Sequence, residues 1–200
     1  PSIVRTPDKC ILCGRCVRVC EEIQGVAAID FTKRGFDTIV LPAFNEDLSQ
    51  TTCVTCGQCV LACPTGALHE VSHVQQVVRV LQQGTKYVVA QTAPAIRVSI
   101  GEFYGLEPGA NVTGKLAAAL RRVGARRVFD TNFTADLTIM EEGTELVDRL
   151  TKGTGPLPLL TSCCPGWGKF VEHYFPQFIP NISSCRSPQQ MMGSLVKSYF

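Results

Sequence analysis

From residue 84 onward the apolar positions keep changing period. "KYVVAQTAP" (86–94) is a short β-branched run bounded by Gly84 and Pro94, the pattern of a buried strand. "VTGKLAAALRRVG" (112–124) switches to helical spacing. Leu116, Ala119, Leu120 and Val123 form one apolar stripe, Thr113 is the expected N-cap and Gly124 the stop. "RRVFDT" (126–131) predicts a second strand, "FTADLTIMEEGTELVDRL" (133–150) a longer helix and "LPLLTS" (157–162) a third strand. Strand, helix, strand, helix, strand is the order of a parallel α/β sheet. Ligands of such sheets gather at the carboxyl ends of the strands. "TAP" (92–94) and "TSCCPGW" (161–167) both lie at such ends.

The first 83 residues read differently. Short β-like pieces such as "DTIVLPAF" (37–44) sit between two cysteine runs, and no cysteine occurs between Cys63 and Cys163. Two domains are expected, 1–83 and 84–200. A hydrophobic fraction of 45% with 18% charged residues describes a globular chain. A net charge of +2 with scattered Lys and Arg gives a nucleic-acid role little electrostatic support. No apolar run reaches the roughly 18 residues of a membrane span, and "PSIVRTPDKC" does not read as a signal peptide. The chain starts at Pro1 without an initiator Met, so an excerpt of a longer protein is expected.

Eleven cysteines carry the chemistry. "CILCGRCVRVC" (Cys10, Cys13, Cys16, Cys20) and "CVTCGQCVLAC" (Cys53, Cys56, Cys59, Cys63) repeat the spacing C-x2-C-x2-C-x3-C, with Gly14 and Gly57 in the same place. Zinc takes two separated pairs, not three evenly spaced cysteines and a fourth. A secreted disulfide scaffold is the other use of so many thiols. The spacing is that of bacterial ferredoxins with two [4Fe–4S] clusters, where the fourth cysteine of each run reaches the other cube. Cys10, Cys13, Cys16 and Cys63 are therefore assigned to one cluster, and Cys53, Cys56, Cys59 and Cys20 to the second. The two glycines permit tight turns that aim N–H groups at sulfides.

"TSCCPGW", "FTADLTIMEEGTEL" (133–146), "TAPAIRVSIGEFYG" (92–105) and "SPQQMMGSLVKSYF" (187–200) together resemble the catalytic subunit of [FeFe]-hydrogenases. The cysteine runs resemble that family's ferredoxin-like domain. The resemblance implies an α+β ferredoxin-like domain followed by an α/β lobe with a mostly parallel sheet. It implies reversible interconversion of dihydrogen with protons and electrons at an H-cluster. That cofactor is a [4Fe–4S] cube joined through a cysteine to a two-iron unit bearing CO, cyanide and a bridging dithiolate. Cys164 matches a cube ligand, and Cys163 the thiol that exchanges protons with the dithiolate amine. Taken alone, the pair supports only one cluster ligand beside an inert buried cysteine.

Glu142, Glu145 and Ser183 match a proton path running from solvent through Glu145, Ser183, Glu142 and Cys163. By spacing alone, Glu145 and Arg149 read as an ordinary surface pair worth about 0.3 kcal/mol. Apolar residues on more than one side (Leu137, Ile139, Met140, Leu146, Val147, Leu150) predict wide burial of the same helix, where unpaired carboxylates are costly. Pro94 and Ala95 match a loop contacting the diatomic ligands, and Gln189 a pocket-lining residue; Ala95 is Ser in some relatives. Cys185 matches no ligand and reads as a buried spare thiol. Trp167, Phe170 and Tyr174 read as core, while His69, His73 and His173 fit no catalytic or zinc spacing.

The family pattern adds further cysteine motifs downstream that these 200 residues do not contain, so one of four cube ligands is expected here. The chain then reads as an excerpt, as half of a split catalytic unit, or as a relic in which only the ferredoxin-like clusters work. A pure electron-transfer module and a sensor or iron–sulfur assembly factor are the alternatives to an oxidoreductase. The expected partners are the remainder of the catalytic domain and a ferredoxin or a flavin-containing NAD(P)-linked subunit. The expected setting is anaerobic and cytoplasmic.

Overall fold

Short strands bring the two cysteine runs together. In the computed structural model, which describes residues 2–199, β1 (Ile3–Arg5) pairs antiparallel with β4 (Leu68–Glu70), Arg5 lying opposite Leu68. The Thr6 N–H continues the pairing by donating to the Ala67 carbonyl at 2.7 Å. The chain entering the first run therefore lies beside the chain leaving the second. A further hairpin pairs β2 (Asp30–Thr32) with β3 (Ile39–Leu41).

Each run then makes the same local turn. Leu12 and Gly14 have φ of 54° and 71°, and Thr55 and Gly57 have 56° and 77°. A short helix follows each glycine, α1 (Arg15–Arg18) and α2 (Gln58–Ala62). A β-branched residue such as Thr55 adopts this region only under constraint. After α1 the chain winds through a π-helical turn, Val19–Ile23, that carries Cys20. The core of this unit is Ile3, Val17, Val26, Ile29, Leu48, Val54 and Leu68, with Cys16 and Cys53 buried among them.

By packing the chain forms two units. The first comprises the residues up to His73 with Pro165–Pro176, and the second comprises Val74–Cys164 and the residues from Gln177. Helix α3 (Val74–Gln83) thus packs with the second unit, and α7 (Pro165–Tyr174) with the first. Phe170 of α7 packs on the ferredoxin-like core, and the Tyr174 hydroxyl donates to the Val26 carbonyl at 2.8 Å. Of the expected core aromatics, Trp167 and Tyr174 keep 38% and 37% exposure; Val171 is the α7 side chain that is buried outright.

In the second unit β5 (Val89–Thr92) and β6 (Arg127–Asp130) pair in parallel, Thr92 opposite Asp130. The crossover carries α4 (Ile96–Phe103) and α5 (Thr113–Val123), with Gly124 as the stop at φ 123°. Thr113 is not the N-cap. It lies one residue inside the helix, and the Asn111 carboxamide oxygen accepts from its N–H at 3.1 Å. Of the α5 stripe, Leu116 and Leu120 are half-buried, while Ala119 and Val123 are exposed.

The long α6 (Asn132–Lys152) follows, and α8 (Pro188–Tyr199) packs against it. The third strand is absent from "LPLLTS". Only Leu160 forms a bridge, to Ile182, because Pro156 and Pro158 supply no N–H to a ladder. Among the described residues the parallel sheet of this lobe is therefore two-stranded. No helix among them is long and apolar enough to cross a membrane.

Candidate iron–sulfur and proton-transfer site

Cys10, Cys13, Cys16 and Cys63 line one cavity, which brings the fourth cysteine of the second run to the first three of the first. The other four are coupled to one another. Burial raises the Cys59 thiol to about 12, and the charges of Cys53, Cys20, Cys56 and Cys16 add to the rise. Burial likewise raises Cys53 against the Thr55 N–H, with Cys20 and Cys56 reinforcing it, and raises Cys16 with Cys10 and Cys13 beside it. Crowded, buried thiols resist ionisation unless positive charge is bound among them, which a coordinated metal supplies.

Cys63 departs in the other direction. Burial pushes it up, but N–H groups of Leu68, Thr65 and Ala67 and the Thr65 hydroxyl outweigh this and bring the thiol to about 7. Backbone N–H groups also reach sulfur at Cys20, from Ala28 at 3.3 Å, and at Cys53, from Thr55 at 3.4 Å. With Cys63 beside the first run and Cys20 beside the second, the donor set fits iron–sulfur clusters. No three His, Cys, Asp or Glu among the described residues are placed to hold a single metal ion, the three histidines included.

Glu145, Ser183 and Arg149 form a second constellation. The Ser183 hydroxyl donates to Glu145 Oε2 at 2.7 Å, and the Ser184 N–H donates to the same oxygen at 3.2 Å. Arg149 Nη2 donates to Glu145 Oε1 at 2.6 Å. This is not the surface pair that the spacing suggested, since the two side chains are only 7% and 21% exposed. Arg149 also donates to the carbonyls of Pro156 (2.8 Å) and of Pro180, Asn181 and Ile182 (each 3.3 Å). Against the opposing effect of burial, the Ser183 hydroxyl, Arg149 and the Ser184 N–H hold the Glu145 carboxyl below its ordinary 4.5.

Glu142 lies one turn away. Its Oε1 is buried with no hydrogen-bond partner among the described residues. Cys185 is only half-buried, and its N–H donates to Ser183 Oγ at 3.1 Å. Burial raises its thiol first, and the charges of Glu142, Glu141 and Glu145 raise it further.

Within these residues the wide apolar burial expected of α6 is not seen. Ile139, Met140 and Leu150 are 69%, 68% and 62% exposed, while Thr134, Thr138 and Arg149 are buried. Thr134, Thr138, Glu142, Glu145 and Arg149 are spaced four, four, three and four residues apart, so they share one face. That polar stripe was a signal for Arg149 that pairwise reading missed. The remaining site residues sit at the surface. Cys163, Cys164, Pro94, Ala95 and Gln189 are all exposed, Pro94 and Ala95 just beyond β5 and Gln189 in the first turn of α8.

Comparison with known proteins gives this arrangement a family. Residues 86–200 match a family model described as the iron-only hydrogenase large subunit, C-terminal domain, and residues 9–67 match a 4Fe-4S dicluster domain. The NADP-reducing hydrogenase subunit HndD of Solidesulfovibrio fructosivorans is 52% identical over all of this chain and 35% of its own length. Iron hydrogenase 1 of Clostridium pasteurianum is 45% identical over all of this chain and 34% of its own. The cytosolic iron-sulfur assembly component 3 of Bos taurus is 35% identical over 76% of this chain and 34% of its own. The solved structure reported as stepwise [FeFe]-hydrogenase H-cluster assembly in HydA(deltaEFG) matches with a TM-score of 0.61 and 52% identity, covering 64% of this chain and 33% of that one. The chain spans about a third of the length of these curated relatives. With most of the second unit inside the matched domain and both cysteine runs inside the dicluster match, the chain belongs to the iron-only hydrogenase large-subunit family.

Proposed function

We propose that this chain is the electron-relay and proton-delivering portion of an [FeFe]-hydrogenase catalytic subunit. One observation carries the reading: Ser183 Oγ donates to Glu145 Oε2 at 2.7 Å, one helical turn from Glu142 with its buried, unpartnered Oε1. A buried carboxylate oxygen without a partner is costly for a structural role and useful for receiving a proton.

In this reading residues 1–83 form the electron-relay domain and 84–200 the first part of the catalytic domain. Cys10, Cys13, Cys16 and Cys63 hold one cube; Cys53, Cys56, Cys59 and Cys20 hold the other. Cys164 supplies one thiolate to the H-cluster cube. The two cubes would supply one-electron transfer, and the H-cluster would supply the hydrogen chemistry. Glu145, partly open to solvent, takes up protons arriving from outside, Ser183 passes them toward Glu142, and Cys163 presents a thiol beside the thiolate that its neighbour gives to metal. Pro94, Ala95 and Gln189 line the same pocket.

The rest of the catalytic domain and a ferredoxin or NAD(P)-linked flavin subunit are the partners. A relative named as an NADP-reducing hydrogenase subunit supports the second of these. We read the setting as cytoplasmic; a relative named periplasmic, from Nitratidesulfovibrio vulgaris, makes cell fractionation the test of that point.

The direct experiment uses the full-length, maturated protein under anaerobic conditions. Cys163→Ser and Glu142→Gln should retain iron and the CO and cyanide infrared bands while hydrogen turnover falls by at least about a hundredfold. Full turnover in both variants would sink the proton-path assignment. A second reading, an iron–sulfur assembly factor, is favoured by the Bos taurus relative. It predicts about eight irons and no CO or cyanide bands after maturation.

A further inference from the structure

We infer that Arg97 is a positioning residue that fixes the Pro94–Ala95 loop against the start of α6. The inference rests on the proposed role of that loop in lining the H-cluster pocket. Arg97 Nε donates to the Pro94 carbonyl at 2.9 Å, and Arg97 Nη1 donates to Asp130 Oδ2 at 3.0 Å. Asp130 Oδ1 accepts from the N–H of Asn132, the first residue of α6, at 2.9 Å. One guanidinium and one carboxylate thus connect a loop carbonyl to the helix that carries Glu142 and Glu145. The Arg97 side chain is 18% exposed and that of Asp130 35%.

The loop needs such a brace. Pro94 has no N–H, so its own backbone can be held only through its carbonyl, and that carbonyl is bound by Arg97. Two residues earlier, Thr131 holds the Thr92 carbonyl through its N–H at 3.1 Å and its hydroxyl at 2.8 Å. Gln91 Nε2 in turn donates to Thr131 Oγ1 at 2.9 Å. Residues 92–95 are therefore tied at two points to 130–132, on both sides of the strand end where α6 begins. Beyond the loop, the Ala95 carbonyl accepts from the N–H groups of Val98 and Ser99, each at 3.2 Å, and opens α4. An ordinary surface pair would leave the loop indifferent to the identity of residue 97. A guanidinium that spans two acceptors in fixed directions would not, because an ammonium lacks the rigid fork that holds both at once.

The test uses Arg97→Gln, Arg97→Lys and Ala95→Ser in the full-length protein. Before maturation, amide exchange at Val98 and Ser99 should accelerate by about tenfold or more in Arg97→Gln and by less in Arg97→Lys. After maturation, the CO and cyanide bands of Arg97→Gln should shift or broaden, with Arg97→Lys in between. Unchanged exchange in Arg97→Gln overturns the brace. Faster exchange with unmoved bands, when Ala95→Ser does move them, also overturns it, because the loop then keeps its place at the cofactor without Arg97. Bands unmoved by Ala95→Ser itself defeat the pocket reading of the loop, and the inference falls with it, whereas the exchange data still report whether Arg97 holds the loop.

Discussion

Removing the Arg149 guanidinium separates a structural ion pair from a surface one. Arg149→Met keeps most of the aliphatic stem and deletes every donor. Two of the lost bonds are short, to Glu145 Oε1 at 2.6 Å and to the Pro156 carbonyl at 2.8 Å, and three at 3.3 Å are weaker. Charge-assisted bonds contribute about 1.5–3 kcal/mol each, but Glu145 keeps Ser183 and Ser184 on its other oxygen, so we take about 3–5 kcal/mol, the cost of breaking a buried pair. A surface i, i+4 pair would lose about 0.3 kcal/mol. Native-state amide exchange along α6 and at Ser183 distinguishes the two, since 1.4 kcal/mol is about tenfold in an opening equilibrium. The expected acceleration is between about two and four powers of ten.

A companion Glu145→Gln variant closes a double-mutant cycle, and the coupling should exceed about 1 kcal/mol. The pH dependence has a definite sign. Glu145 is held below 4.5 in the folded chain, so its contribution is present above that value and lost as pH falls through its folded-state value. The advantage of the native protein over Arg149→Met should therefore narrow on acidification below 4.5. Acceleration below about threefold, or no coupling in the cycle, would refute the buried-pair account.

Three other outcomes follow from the same structure. Cys63→Ala should remove the cluster held with Cys10, Cys13 and Cys16, a loss of about four irons, and leave the second cluster's paramagnetic signal; loss of the second cluster instead would reverse the crossed assignment. Gly14→Ala should destabilise more than Gly57→Ala in thermal unfolding of the clustered protein. Both leave an αL glycine, costing about 1 kcal/mol, but only at Gly14 would the new Cβ meet a neighbour, Phe31 at 3.1 Å. Gly155→Ala should speed exchange at Ser183, because its Cβ would lie 3.2 Å from Arg149 Nε, and a guanidinium bound by five acceptors has little room to yield; exchange equal to the parent protein's would show that Arg149 shifts freely.

What was legible in the sequence was set by local geometry. The cysteine spacing announced two clusters because ligand spacing and left-handed turns are properties of a dozen neighbouring residues, and Leu12–Gly14 and Thr55–Gly57 repeat the same turn. Helix α6 and strands β5 and β6 followed from period alone. What escaped depended on distant partners. Arg149 looked like half of a surface pair until the carbonyls of Pro156 and of 180–182 closed round it, the latter more than thirty residues along the chain. The third strand failed for a local reason that was visible, two prolines, overridden by the alternation of the pattern.

The polar face of α6 joins stability to the proposed chemistry. Helices ordinarily bury an apolar face and leave carboxylates in water; the exposure of Ile139, Met140 and Leu150 on α6 is that of a portion spanning about a third of its relatives' length. Helix α6 buries Thr134, Thr138 and Arg149, half-buries Glu142 and Glu145 on the same face, and leaves the apolar residues exposed. Thr134 and Thr138 satisfy themselves on the carbonyls of Thr131 and Thr134 at 3.0 and 2.9 Å, and Arg149 satisfies one Glu145 oxygen while Ser183 and Ser184 share the other. Only Glu142 keeps a buried side-chain oxygen without a partner among the described residues. Compensating every other group on the face retains most of the stability, and the one uncompensated oxygen belongs to the residue that the proposed path needs.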